Sequence, residues 1–251
     1  MQSDDLLSTL TRRVLFAPLA DQGRADAVAE RLRIAISLGI LGEGEQLPPE
    51  PDLAAQFNVS HVTLREALTQ LRAQGMVTTR RGRGGGTVVS APRPNQLRVA
   101  LEQVARFSRL DLRDLADWRR AIACEAASLA VARASTEDVA LLARGTIRLA
   151  AAGDEVESRR ADSRFFIELA AASQSVRLSR AMINLQVEYA PVLTLVYTDQ
   201  QLRAEVAQIL QDLMIAVREA DGDAARRHAT AAIDRVAVRA TVMRSEGWPV
   251  P

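Results

Sequence analysis

In FNVSHVTLREALTQLRAQGMVTTRRGRGGGTVVS, residues 57–90, the hydrophobic period changes from helical to alternating within a few positions. Val62, Leu64, Ala67, Leu68 and Leu71 recur at the spacing of one helix face. Ser60 stands where an N-cap belongs, with Thr63 three positions on, and Gly75 follows where a left-handed C-cap is expected. Beyond Gly75 the segments MVTTR and GTVVS are short and rich in β-branched residues, which predicts two strands. RRGRGG joins them as the tip of a hairpin, with fixed charge from arginine on a permissive glycine backbone.

Working outward, residues 24–41 carry apolar groups at 28, 32, 36 and 40, again a helical stripe. GEGEQLPPEP breaks the chain, and PDLAAQFN predicts a short helix with Leu53, Ala54 and Phe57 on one face. Only the turn NVS separates that helix from the next, which is helix-turn-helix spacing. Residues 24–90 therefore read as three helices followed by a β-hairpin wing. APRPN, with two prolines, predicts a linker over 91–96. From 97 to 246 no strand signal appears, and about seven helical stretches predict an all-α bundle. Asp111, Thr136, Ser175, Asp199 and Asp221 mark helix starts, and Pro191 is expected to kink or break the fifth of these helices. The fold class is thus mainly α, a winged helix-turn-helix and then a helical bundle. An extension over 1–23 and a tail over 247–251 complete the chain. In the extension Leu6, Leu7, Leu10, Val14 and Leu15 are spaced to pack on the winged domain or on a partner subunit, a loosely ordered leader being the alternative reading.

Net charge is only +1, yet residues 57–90 carry +4 and residues 1–56 carry −4. A focused basic patch can recruit a polyanion that the global charge conceals. In a helix-turn-helix the second helix of the motif enters the major groove by its N-terminal end. That end presents Ser60, His61, Val62, Thr63 and Arg65, while the hairpin tip presents Arg80, Arg81, Gly82 and Arg83 to phosphates or the minor groove. A solvated basic turn is the bland alternative for either half taken alone. The two halves in series, at this spacing, point to double-stranded DNA.

The stretch from Leu47 to Val89 resembles the winged helix-turn-helix of GntR-family bacterial transcription regulators: Leu-Pro-x-Glu, a helix, a Val-Ser turn, Thr-x-Arg-Glu-Ala-Leu and an Arg/Gly wing. LRDLADWRRAI, RRADSRFFIELAAAS and AVREADGDAARRHATAAI resemble the FCD effector domain of the FadR branch. The resemblance implies a dimeric regulator, a repressor by expectation, that reads a palindromic operator and responds to a small-molecule effector. Arg65, Ser60, Thr63, Arg81, Gly82 and Arg83 fall on the family's DNA-contacting positions. Pro51 and His61 stand where the family commonly has arginine, which implies an operator of its own.

Many FCD domains hold a metal with one acidic residue and three histidines, and the metal grips a carboxylate effector. Here Asp162 is kept, but the three histidine positions read Phe166, Leu210 and Ala232, with only His228 nearby. No metal and no other cofactor is expected, although Asp117, Asp162 and Glu188 are oxygen ligands suited to a hard cation. The expected effector pocket is lined by Arg119, Asp162, Phe166, Leu210 and Ala232. It suits a hydrophobic ligand such as a fatty acid or acyl thioester, or one held by Arg119. A bundle packed shut at these positions is the alternative.

No nucleophile–base pair, phosphate loop or histidine cluster suggests an enzyme, and Cys124, the single cysteine, reads as core. An enzyme with a DNA-binding head, or a ligand-free architectural DNA binder, are the competing functions. The acidic N-terminal start, the lone cysteine and the lack of a bilayer-length apolar run predict a cytoplasmic protein with no membrane partner.

Overall fold

A computed structural model describes residues 9–16, 25–80, 82, 85–90 and 96–248. Arg81, Arg83, the segment 91–95, Leu6 and Leu7 lie outside the described residues. The chain divides into two compact units, the first running to Pro94 and the second from Asn95; the opening turn of the first helix groups with the second unit.

In the first unit α2 (Ala25–Ser37), α3 (Glu50–Phe57) and α4 (His61–Ala73) precede an antiparallel pair, β1 (Val77–Arg80) and β2 (Gly86–Val89). α2 and α4 pack together, burying Val28, Leu32 and Ile36 from one and Leu64, Leu68 and Leu71 from the other. Each such side chain contributes roughly 1.5–3 kcal/mol on burial. The strand register pairs Val77 with Val89 and Arg80 with Gly86. The segment read from sequence only as a Gly/Pro break does more than connect. Gln46 bridges Val88, Leu47 N–H donates to Thr87 at 2.9 Å, and Val89 N–H donates to Glu45 at 2.9 Å. This segment covers the free edge of β2, which an exposed two-stranded ribbon would leave open.

α1 (Thr9–Leu15) lies in the N-terminal extension. Its later residues join the first unit: Val14 and Leu15 are buried, and Arg31 Nη1 donates to both of their carbonyls at 3.1 Å. Phe16 meets the buried Phe57 edge-on, with ring centroids 5.6 Å apart.

The second unit consists of α5 (Gln96–Val104), α6 (Arg109–Arg133), α7 (Thr136–Ala151), α8 (Glu155–Ala172), α9 (Val176–Val196), α10 (Gln200–Arg218) and α11 (Gly222–Glu246). α8 is the central helix, packed against α6, α7 and α9 and buried along nearly its whole length. α10 and α11 pack on each other and on α6.

Two expectations about the helices are corrected, the start of α6 and the break of α9 at Pro191, while the start of α7 at Thr136 stands. Asp111 is not the start of α6. Ser108 is the N-cap, and Asp111 at the third helical position returns a bond to the Ser108 N–H at 2.7 Å, completing a reciprocal capping box. Ser135 and Asp138 do the same for α7, so Thr136 is its first helical residue. Ser175, Asp199 and Asp221 do cap α9, α10 and α11. Pro191 does not break α9, which runs on to Val196. A missing N–H costs one ladder bond, and the packing of α9 on α5, α6, α8 and α11 holds the helix through it.

Candidate nucleic-acid interface and effector site

The turn between α3 and α4 is built for a sharp reversal. Asn58 takes the left-handed conformation, φ 54°, and the Val59 N–H closes the end of α3 on the Ala54 carbonyl at 3.0 Å. Ser60 then caps α4: its Oγ accepts from the Thr63 N–H at 3.1 Å and lies 2.9 Å from Thr63 Oγ1. The two hydroxyls read from sequence as DNA contacts thus also hold the helix start in place. At the far end Gly75, φ 70°, and Met76 close a left-handed cap on Arg72 and Leu71.

The N-terminal end of α4 is open and electropositive. Ser60 and His61 are exposed, Val62 is 67% exposed, and the first turn carries no acidic residue. The positive end of the helix dipole therefore faces outward unneutralised, a ready site for an anion. Arg65, one turn on, is 70% exposed and does not float free: its Nε donates to Glu50 Oε2 at 2.9 Å, from the first turn of α3. Sequence reading missed Glu50 as a partner of Arg65, because the two are joined by the fold and not by helical spacing.

Arg80 and Gly82 are exposed at the wing. Sequence reading assigned the glycines to close approach of DNA, and the described ones have an internal reason first. Gly82 has φ 112°, a conformation side chains avoid. A Cβ on Gly85 would lie 2.3 Å from the Arg80 carbonyl oxygen, and one on Gly86 would meet Gln46 Nε2 at 2.6 Å. The wing closes only because these positions lack side chains.

In the second unit Arg119, Asp162 and Phe166 come together. Arg119 and Asp162 are both 0% exposed, and Arg119 Nη2 donates to Asp162 Oδ1. Tyr197 donates its phenol proton to Asp162 Oδ2 at 2.7 Å. The Arg119 guanidinium lies 4.6 Å from the centre of the Phe166 ring and 5.2 Å from that of Tyr189, within cation–π range. Tyr189 and Tyr197 are the chain's only tyrosines, a concentration in one helical segment that was the available signal. Burial pushes the Tyr189 phenol up to about 12, and burial with the Asp162 charge pushes Tyr197 up as well, so both stay neutral at physiological pH. Burial also pushes the Asp162 carboxyl up, against the pull of Arg119 and Tyr197. Arg119 Nε and Nη1 are buried with no hydrogen-bond partner among the described residues.

Leu210 and Ala232 are buried on α10 and α11. The donor set of an FCD metal is not present: at its three imidazole positions stand a phenyl, an isobutyl and a methyl group, none of which can ligate, and the retained carboxylate of Asp162 is taken by Arg119 and Tyr197. Asp117 is exposed and paired with Arg120, and Glu188 is exposed, so neither joins the buried Asp162. Cys124 is buried on α6 with its Sγ 3.1 Å from Thr230 Oγ1. A surface cavity of about 270 Å³ lies instead between α10 and α11, beside Leu202, Val238 and Val242. Its charged groups are already matched, Arg235 with Glu205 and Arg239 with Asp199, so it offers little chemistry.

Residues 24–89 match the family described as bacterial regulatory proteins, gntR family, and residues 114–235 match the FCD domain. The chain is 44% identical over 175 residues to a protein described as an HTH-type transcriptional regulator, RmpR, from Mycobacterium gastri, covering 69% of this chain and 64% of that one. It is 40% identical over 81 residues to the HTH-type transcriptional repressor NanR of Escherichia coli O1:K1 / APEC, covering 32% of this chain and 31% of NanR. The chain thus spans just under two thirds of the first relative and about a third of the second. A solved GntR transcriptional regulator from Rhodococcus sp. RHA1 shares the fold, with a TM-score of 0.50 and 22% identity over 86% of this chain and 96% of that one. No described helix is long and apolar enough to cross a membrane.

Proposed function

Because the chain belongs to the GntR family of bacterial regulators and carries an FCD domain, we propose that it is a sequence-specific DNA-binding transcription regulator whose helical unit takes a small-molecule effector. The observation that supports this reading best is the start of α4, capped by Ser60, free of acidic residues and exposing Ser60, His61, Val62 and Arg65. A helix end of that kind docks in a major groove and needs no catalytic group. We read the protein as a cytoplasmic homodimer that acts on a palindrome, and as a repressor, which is how NanR, 40% identical to it over 81 residues, is described. Arg65→Ala is expected to weaken operator binding by about 1–3 kcal/mol. Wild-type affinity should fall steeply with salt as arginines displace counterions. Fluorescence anisotropy on a labelled operator, run across salt concentrations, measures both. An Arg65→Ala variant that binds as tightly as the parent overturns this docking.

The effector that suits the second unit carries a carboxylate head and an apolar body, such as a fatty acid. Binding would need the bundle to open at these buried side chains: Arg119 would then offer Nε and Nη1, which have no hydrogen-bond partner among the described residues, to the head, and Phe166, Leu210 and Ala232 would line the body. An acyl thioester lacks the carboxylate and suits Arg119 less well. Native mass spectrometry of protein purified without added metal is expected to find a dimer with an organic mass that survives chelation. A divalent metal lost to chelator would overturn the metal-free reading.

A further inference from the structure

The exposed side of α4 carries one residue without a role in the fold. Val62, at the second position of the helix, is 67% exposed, the highest exposure of any large apolar side chain among the described residues. It stands opposite the buried stripe of Leu64, Leu68 and Leu71, and shares its face with Arg65, Glu66 and Thr69, all exposed. Folding gives no reason for valine here. The side chain adds nothing to the core, and β-branching makes it a poorer helix former than alanine.

The polar side chains around it are held within the first unit. The Ser60 and Thr63 hydroxyls bond each other across the cap, and Arg65 bonds Glu50. Thr69 donates to the Arg65 carbonyl at 2.7 Å, and Gln70 donates to Asp26 at 2.8 Å. Val62 has no polar group to engage, and a β-branched side chain in a helix has one strongly preferred rotamer, so its two methyl groups are presented in a set direction. The floor of a major groove offers donors or acceptors on every base pair but a single kind of apolar group, the 5-methyl of thymine. A side chain with neither donor nor acceptor tells bases apart there by that methyl.

We propose that Val62 reads thymine: it packs on the 5-methyl group of one thymine in the operator and sets the preference for T·A at that base pair. Val62 does so only if α4 docks as proposed above, so its role rests on that reading. Arg65, one turn along the same face, and the capped helix end fix the register by charge, while Val62 supplies the sequence information that contacts to phosphate lack.

The test selects an operator for the full chain from a random duplex library, then replaces its thymines one at a time with deoxyuridine, which lacks only the 5-methyl. Fluorescence anisotropy is expected to find a thymine whose replacement weakens binding about fourfold, the worth of one buried methyl. Val62→Ala should abolish that sensitivity and relax the selected base at that pair. Its Tm should match the parent's, since the side chain is exposed. An operator with no thymine, or one that tolerates deoxyuridine at every thymine, overturns the proposal and leaves the docking of α4 intact. A sensitivity that survives Val62→Ala also overturns it, by assigning the methyl to another side chain. A library that yields no enriched sequence overturns the docking and the role of Val62 together.

Discussion

Arg119→Ala is expected to lower the stability of the helical unit by about 3–5 kcal/mol, a large part of the roughly 5–15 kcal/mol that holds a typical domain together. The loss does not measure the strength of the ion pair. It arises because Asp162, fully buried, would keep the Tyr197 proton as its one donor among the described residues and have no counter-charge. Asp162→Ala should cost a similar amount by stranding the guanidinium. Converting the whole network to apolar groups, Arg119→Met with Asp162→Leu and Tyr197→Phe, should recover much of the loss, since no buried polar group is then left unsatisfied. Urea unfolding followed by circular dichroism ranks the three variants. If Arg119→Ala loses less than about 1 kcal/mol, water reaches the pair and the network is not the dry core described. The triple variant also separates fold from the proposed ligand: it should fold, yet lose the fatty-acid response that the proposed effector reading expects of the parent.

Gly85→Ala is expected to weaken operator binding about tenfold or more, near 1.4 kcal/mol, although Gly85 is not itself among the proposed DNA contacts. The added methyl would lie 2.3 Å from the Arg80 carbonyl oxygen and 2.9 Å from that of Gly82. Both are backbone atoms, so no rotamer relieves the clash, and overpacking of this kind costs about 1–3 kcal/mol. The turn bond from the Gly85 N–H to Gly82, 2.8 Å, and the closing pair Arg80–Gly86 must open. A two-stranded ribbon has little stability to spare, whereas the packed stripes of α2 and α4 stay intact. Helical content and Tm should therefore barely move while anisotropy reports the weaker binding. Gly222→Ala, with nothing within 4 Å of its new methyl, is the control and should bind as the parent does. Unchanged operator affinity in Gly85→Ala would mean that the wing plays no part in docking.

What the sequence disclosed follows the range of each interaction. Ser60 and Gly75 were legible as the two ends of α4, because capping acts over three or four residues. The strands were legible from Val77 to Val89 for the same reason. The backbone pairing of Gln46 with Val88 was not, since glycine and proline around it hide a strand edge that borrows its order from β2. Thr136 was read correctly as the start of α7, whereas Asp111 was taken as the start of α6 two residues late, because a reciprocal box places the acid inside the helix and the serine at its mouth. In the second unit the loss of three imidazoles was visible residue by residue. The arrangement around Phe166 was not, because Arg119, Asp162 and Tyr197 come from α6, α8 and the end of α9 and meet only after packing.

The bond between Arg65 and Glu50 gives docking the character of an exchange. If Arg65 contacts phosphate as proposed, Glu50 is its surrogate partner in the free protein, and docking has the guanidinium trade one oxyanion for another. On that reading Arg65 is partly ordered before it docks, and a phosphate competes with a carboxylate already beside it. Such a place-holder handicaps loose contacts anywhere along a chromosome more than the full set of contacts at an operator, so it sharpens discrimination while lowering the salt sensitivity that a free arginine would bring.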